Sequence, residues 1–296
     1  MRLVTFYVPG KGSVLGCETE SGIIDLHHAS RGSIRCFADL LAKSDRHEML
    51  KSLVKQYVGV TYTWEDIDIV PDSTKPHLLR PLDPPEIWAA GVTYERSRKA
   101  RMEESGYTDF YDMVYRAERP ELFFKDSGIR TSGPNQCIGV REDSHWMVPE
   151  PELGLVIGKE LEIIGYTVGN DVSSRDIEGA NPLYLPQAKI FQGCCAIGPA
   201  VVLKEHINDP YDLTIVCEIF REGERVFEGS TSTSSFARKF DELVKWLGVS
   251  NPVLPGTVLL TGTSIVPPDE FSLKPNDTVE ITIEPIGRLR NYVLAP

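Results

Sequence analysis

The chain has 296 residues, enough for one large domain or two unequal ones. Its formal charge of −12, from 43 acidic against 31 basic side chains, argues against a nucleic-acid-binding surface. No apolar run approaches the ~20 residues of a membrane span, and Met1 to Val8 is too short and strand-like for a signal peptide. The six cysteines show no Cys-x-x-Cys spacing, so reduced thiols and a cytoplasmic location are expected.

In chain order, residues 3–8, 14–19 and 23–27 read as strands. Ser33 can cap a helix running to residue 41, and residues 46–58 carry a helical apolar period at Met49, Leu50, Leu53 and Val54. His27-His28 reads as a surface or packing pair at a strand end. Arg80-Pro81-Leu82-Asp83-Pro84-Pro85-Glu86 has the composition of a linker. This predicts a small N-terminal α/β domain over 1–80, a linker at 81–86 and a larger domain over 87–296.

Residues 87–91 read as a strand. The charged stretch 93–105 is either a solvated helix, supported by Glu95 and Lys99 at i,i+4, or a lid over a site. If residues 121–125 are extended, Glu121, Phe123 and Lys125 share a face, and Glu121 is a candidate acid–base group.

The stretch from Glu150 to Lys189 is the richest in chemistry. Glu150 and Glu152 project to one face of a strand, with Pro151 between them suited to an edge or bulged position. Gly158-Lys159-Glu160 marks a turn, and a second apolar run ends at Asn170-Asp171. An antiparallel hairpin centred between Glu160 and Leu161 places Asp171 opposite Glu150. Three converging carboxylates repel one another unless a hard cation joins them. Oxygen-only ligands favour Mg²⁺, with Mn²⁺ or Ca²⁺ as alternatives, over zinc or copper. From spacing alone, solvated surface acids remain the other reading. Arg175 and Asp176 are expected to pair with each other behind the ligands.

Beyond Lys189 the pattern is mainly β: residues 213–220 and 225–229 flank a hairpin turn, a helix lies near 236–247, and strands close the chain at 257–261 and 279–283. Many short strands with few helices predict an α+β protein built on a mixed β-roll or sandwich.

The Glu-x-Glu pair at Glu150 and Glu152, Asp171 within Asn170-Asp171-Val172-Ser173-Ser174-Arg175-Asp176, and the downstream Lys189 resemble the site of the fumarylacetoacetate hydrolase superfamily. Gly91-Val92-Thr93-Tyr94-Glu95, Asn181-Pro182-Leu183-Tyr184 and Thr261-Gly262-Thr263 resemble its 2-keto-3-deoxy-D-arabinonate dehydratase branch. The resemblance implies a small N-terminal domain plus a larger catalytic β-fold. It also implies a metal held by Glu150, Glu152 and Asp171, and catalytic roles for Lys189 and Glu121. Ser97, Lys125, Arg175, Gln187 and Thr263 would bind a small 2-oxo acid. A homodimer or homotetramer is expected, with no nucleic-acid or membrane partner.

The implied activity is that of a hydro-lyase. A metal holds the 2-oxo group and carboxylate, and Lys189 stabilises the enolate formed at C3 and is one candidate base. Glu121 protonates the departing C4 hydroxyl, giving 2,5-dioxopentanoate and water. The alternatives are an acylpyruvate-type carbon–carbon hydrolase or oxaloacetate decarboxylase, and a non-catalytic 2-oxo acid binder. The stretch from Tyr94 to Tyr111 contains no histidine to activate water, and the chain has no Gly-x-Ser-x-Gly, which favours elimination.

Overall fold

The computed structural model describes residues 1–96, 102 and 108–295. Its strands are β1 (Arg2–Val8), β2 (Gly12–Thr19), β3 (Gly22–Asp25), β4 (Ile87–Gly91), β5 (Glu121–Asp126), β6 (Pro151–Ile157), β7 (Ile163–Asp171), β8 (Cys195–Leu203), β9 (Thr214–Arg221), β10 (Glu224–Ser232), β11 (Val258–Leu260), β12 (Thr278–Ile283) and β13 (Gly287–Leu294), with several two- and three-residue additions. They form a 12-stranded mixed sheet, running β3-β2-β1-β8-β7-β6-β11-β4-β5 along its main path, and a five-stranded sheet ordered β10-β9-β12-β13 with Cys137–Gly139 at its edge. Among the described residues, no helix is long and apolar enough to cross a membrane.

The large sheet is covered on both faces. Leu153, Leu155, Ile157 and Val168 pack with Ile215, Cys217, Ile219, Ile281 and Leu289 of the second sheet, and with Leu243, Val244 and Leu247 of the helix Phe240–Leu247. On the opposite face Val156, Ile164, Leu203 and Leu260 meet Leu3, Leu15, Phe37, Leu40 and Leu50. This alternation follows from the two-residue period of a strand. Every residue of β6 is buried, so from Leu153 to Ile157 it reads as a continuous apolar run instead of an alternating one, with Glu152 the buried charge at its start.

β6 and β7 pair in register with Pro151 opposite Asn170, and Gly158 N–H donates to Glu162 O at 2.8 Å to close the turn. Pro151 is the first residue of an interior strand, not an edge one. It is tolerated there because backbone pairing on the β11 side reaches no further than Leu153 O, which accepts Thr261 N–H at 3.1 Å, so no N–H is called for at residue 151. The hairpin predicted at 221–224 forms as a two-residue turn, with Glu222 at φ 54° and Gly223 at φ 85°, the left-handed pair that matches strand twist.

Other expectations shift. The strand expected to reach His27 stops at Asp25, whose carboxylate accepts His28 N–H at 2.9 Å and starts a helical turn, Leu26–Ala29. The helix expected from Ser33 is confined to Phe37–Leu41, because Cys36 is extended and Asp39 accepts the Arg35 and Cys36 N–H groups, which sets the helix start at Phe37. The helix predicted at 236–247 begins at Phe240. β8, absent from the expected strands, is a nine-residue central strand. β1 pairs with it, Arg2 opposite Val202 and Leu3 opposite Val201, so the N-terminal strands extend the sheet that carries Asp171. The segment 81–86 packs down through Leu82, 4 % exposed.

Leu155 is fully buried between the two sheets. Leu155→Ala is expected to cost about 2–5 kcal/mol from lost burial and the cavity left behind, read as a lower urea midpoint.

Candidate metal centre

The open end of the β6–β7 hairpin assembles three acids. Glu150 immediately precedes β6, Glu152 is its second residue, and Asp171 is the last residue of β7. Asp171 N–H donates to Glu150 O at 3.0 Å, so the ladder holds their backbones opposite each other. All three side chains are buried, and each offers a carboxylate oxygen within 4.8 Å of the others. Gly262, on the turn after β11, donates its N–H to Glu152 Oε2 at 2.5 Å. Its φ is +93°, and a Cβ there would lie 2.1 Å from Thr93 Oγ1 and 2.9 Å from Ala90 O, so only glycine fits. This turn thus aims a backbone N–H at a carboxylate of the protein itself.

Three cationic side chains surround the acids. Lys189 Nζ donates to Glu150 Oε2 and Asp171 Oδ2, both at 2.8 Å, and to Ser173 Oγ at 2.6 Å. Lys125 is completely buried, ion-paired with Asp171, and donates to Val172 O at 2.9 Å and Lys189 O at 2.5 Å. Arg175 Nη2 lies 3.2 Å from Glu150 Oε1. Burial is the largest influence on the Lys125 ammonium and works against it, but the Asp171 carboxylate together with the neighbouring Cys194 and Cys195 sulfurs outweighs it, and the lysine pKa lies above its ordinary value. Burial, then the charges of Asp171 and Glu150, push the Glu152 carboxyl well above the usual carboxylate range.

The donor set fits a hard divalent cation. It is oxygen-only, already converged, and carries an electrostatic conflict at Glu152 that a cation relieves. The three carboxylates and three ammonium or guanidinium groups balance, so a bound divalent ion leaves this inner region positive. That is how a chain of charge −12 can attract an anionic substrate locally.

A cavity opens beside the cluster, lined by Gly91, Val92, Glu121, Phe123, Glu150, Arg175, Glu178, Lys189, Gly262 and Thr263 among others. It brings together the sequence-predicted Glu121, Glu150, Arg175, Lys189 and Thr263. Phe123 lies under Lys189, with Nζ 5.3 Å from the ring centroid. Val92 in the wall has φ 52°, a strained conformation for a β-branched residue of the kind found at functional sites.

Other predicted residues fall elsewhere. Lys125, expected at the substrate, sits behind Asp171 and away from the cavity wall, because β5 turns it inward under Asp171. Gln187 is exposed, its carbonyl accepting Arg141 Nη1 at 3.1 Å. Ser97 lies outside the described residues, as does much of the lid-like stretch. Arg175 and Asp176 do not pair as expected. Arg175 serves Glu150, while Asp176 accepts Ser144 Oγ and Ser174 Oγ, each at 2.7 Å, and His145 N–H at 2.9 Å. The sequence reading missed Ser173, which bridges Lys189 and Asp171 O, and Glu178. Glu178 stands three residues after Arg175 on the helix Arg175–Ala180, a spacing that places both on one face.

Residues 86–294 match the family "Fumarylacetoacetate (FAA) hydrolase C-terminal". The chain is 54 % identical over 230 residues to a protein of Haloferax volcanii named "Probable 2-keto-3-deoxyxylonate dehydratase", covering 77 % of this chain and 79 % of that protein. It is 48 % identical over 217 residues to the "2-dehydro-3-deoxy-D-arabinonate dehydratase" of Saccharolobus solfataricus, covering 72 % of each. The solved structure titled "2-keto-3-deoxy-D-arabinonate dehydratase complexed with magnesium and 2,5-dioxopentanoate" superimposes with a TM-score of 0.84 at 37 % identity, covering 100 % of this chain and 99 % of that one.

Two expectations follow. Asp171→Ala should abolish Mg²⁺ binding in calorimetry. It should also lower stability by about 3–5 kcal/mol in urea unfolding, because it strands the buried Lys125 ammonium. The raised proton affinity of Glu152 makes a metal displace a proton. Mg²⁺ affinity should therefore weaken as pH falls through that raised range, with proton release visible in buffers of different ionisation enthalpy. In the metal-free protein folded Glu152 holds its proton more tightly than unfolded Glu152, so its contribution to stability is lost as pH rises through the same window.

Proposed function

The chain belongs to the fumarylacetoacetate hydrolase family, and from that premise we propose that it is a magnesium-dependent dehydratase of a 2-keto-3-deoxy sugar acid. The substrate is 2-dehydro-3-deoxy-D-arabinonate, and the products are 2,5-dioxopentanoate and water. The observation that carries the reading is Lys189 fixed on the buried Glu150–Glu152–Asp171 cluster beside a cavity that also holds Glu121. The names of the two relatives converge chemically. A D-series xylonate or arabinonate that loses its C2 and C3 stereocentres leaves the same five-carbon compound.

Glu150, Glu152 and Asp171 would hold the metal. Magnesium, when bound, supplies Lewis-acid stabilisation of the negative charge that develops on the 2-oxo oxygen. Lys189 engages three acceptors through Nζ, so it serves as a fixed positive charge near that oxygen and not as the base. Lys125 and Arg175 hold Asp171 and Glu150 in place. Glu121, as carboxylate, takes the C3 proton and hands it to the departing hydroxyl oxygen on the adjacent C4, which leaves as water. Thr263 and the Gly91–Val92 wall shape the cavity around the chain of the sugar acid.

The reading extends to a homodimer or homotetramer in the cytoplasm. Free buried thiols at Cys17, Cys194, Cys195 and Cys217, and the exposed apolar side chains of Leu183 and Val226, support it.

With Mg²⁺, the purified protein should convert 2-keto-3-deoxy-D-arabinonate to 2,5-dioxopentanoate, and EDTA should stop it. Lys189→Ala should lower kcat by about 10²-fold or more while Mg²⁺ still binds. Efficient cleavage of acylpyruvates, without dehydration of any sugar acid tested, would overturn the reading in favour of a hydrolase.

A further inference from the structure

Glu178 is a buried carboxyl in the cavity with no part in the steps above. It is 7 % exposed and lines the same cavity as Glu121 and Lys189, but from a different element, the helix Arg175–Ala180. It stands one helical turn beyond Arg175, which reaches the ligand Glu150. The two share a face about 4.5 Å apart along the helix axis. A substrate held at C1 and C2 by the metal would extend its C5 carbinol three bonds away from that anchor, toward cavity wall the metal cluster does not supply.

The dehydration described above cannot end with the C4 hydroxyl. Its loss leaves 5-hydroxy-2-oxopent-3-enoate, an isomer of the product. To reach 2,5-dioxopentanoate, a proton must leave C5 and one must arrive at C3. Glu121 regains its carboxylate as water leaves, but a base placed for C3 and the C4 hydroxyl is not placed for C5, one carbon further from the metal, and a carboxylate on another element of the cavity wall suits that proton. We propose that Glu178 is that group and a catalytic residue of the second half-reaction. This rests on the dehydratase reading.

Its carboxylate takes the C5 proton. The C5–H electron pair becomes the C4–C5 double bond, the C3–C4 pair moves to C2–C3, and charge returns to the 2-oxo oxygen. Glu178, now protonated, delivers the proton to C3 and restores the ketone. The remaining C5 enol takes a solvent proton at C4 and loses its O5 proton to become the aldehyde. No redox partner is needed, and the net change is loss of one water.

The test uses the Mg²⁺-loaded wild type, Glu178→Gln and Glu178→Asp, with 2-keto-3-deoxy-D-arabinonate either unlabelled or dideuterated at C5, followed by NMR in deuterated water. Glu178→Gln should lose aldehyde formation by about 10²-fold or more. Its C3 exchange and water loss should fall by less than about 10-fold, so that 5-hydroxy-2-oxopent-3-enoate accumulates. Glu178→Asp should recover part of the aldehyde formation and show a larger C5 isotope effect than wild type. Mg²⁺ affinity and urea midpoint establish that each variant is folded and loaded. If Glu178→Gln is not, the Glu178→Asp isotope effect decides, and an unchanged effect there overturns the proposal. Aldehyde formation at the wild-type rate in Glu178→Gln overturns it. So does a loss of C3 exchange in the same proportion as aldehyde, which would make Glu178 a positioning residue. Wild-type protein that fails to dehydrate the sugar acid overturns the dehydratase reading itself, a result distinct from an active wild type with an indifferent Glu178→Gln.

Discussion

Three carboxylates held in a nearly dry space repel one another strongly, and the structure around them is organised to hold them together. Lys189 spans Glu150 and Asp171, Lys125 pairs with Asp171 from below, and Arg175 meets Glu150. Each buried charge is satisfied only because its partners are placed to within hydrogen-bonding distance, and removing any one partner leaves the others uncompensated. Glu152 has the least cationic help. It receives the Gly262 N–H, and its raised proton affinity shows that the conflict is only partly resolved by the protein. A divalent cation beside Glu152 would relieve that remaining conflict, so metal binding and local stability are one problem here.

That arrangement needs a base that does not yield. β6 and β7 sit in the middle of a sheet covered on both faces, with β8 and β11 on either side. A ligand pair on such strands cannot drift apart without disrupting the core. The strain at Val92 and the glycine-only geometry at Gly262 lie just outside this rigid part, where backbone approaches the cavity closely. The candidate metal ligands thus come from strand ends, and Val92, Gly262 and Thr263 of the cavity wall come from short segments packed beside them.

The cavity pairs one electrostatic centre with carboxyls on separate elements, Glu121 on β5 and Glu178 on the short helix. A sugar-acid dehydration that ends in an aldehyde moves protons at several carbons. Acid–base groups distributed along a cavity suit that chemistry better than a single general base.

The Glu-x-Glu pair, the turn near Glu160 and the convergence of Asp171 on Glu150 were legible in the sequence. They depend on two local properties of a hairpin, strand alternation and register, which residue order alone determines. The turn at Glu222–Gly223 was legible for the same reason. The placement of Lys125, the partner of Arg175, the interior position of Pro151 and the presence of Glu178 in the cavity were decided only by the tertiary structure. Lys125 differs from a surface lysine because β8 and the residues around Lys189 close over it. Arg175 turns to Glu150, and not to its neighbour Asp176, because Ser144 and the His145 N–H from a distant segment, with the adjacent Ser174, already satisfy that carboxylate. Burial and partnership are set by residues far away in the chain, and a local pattern carries no information about which of them arrive.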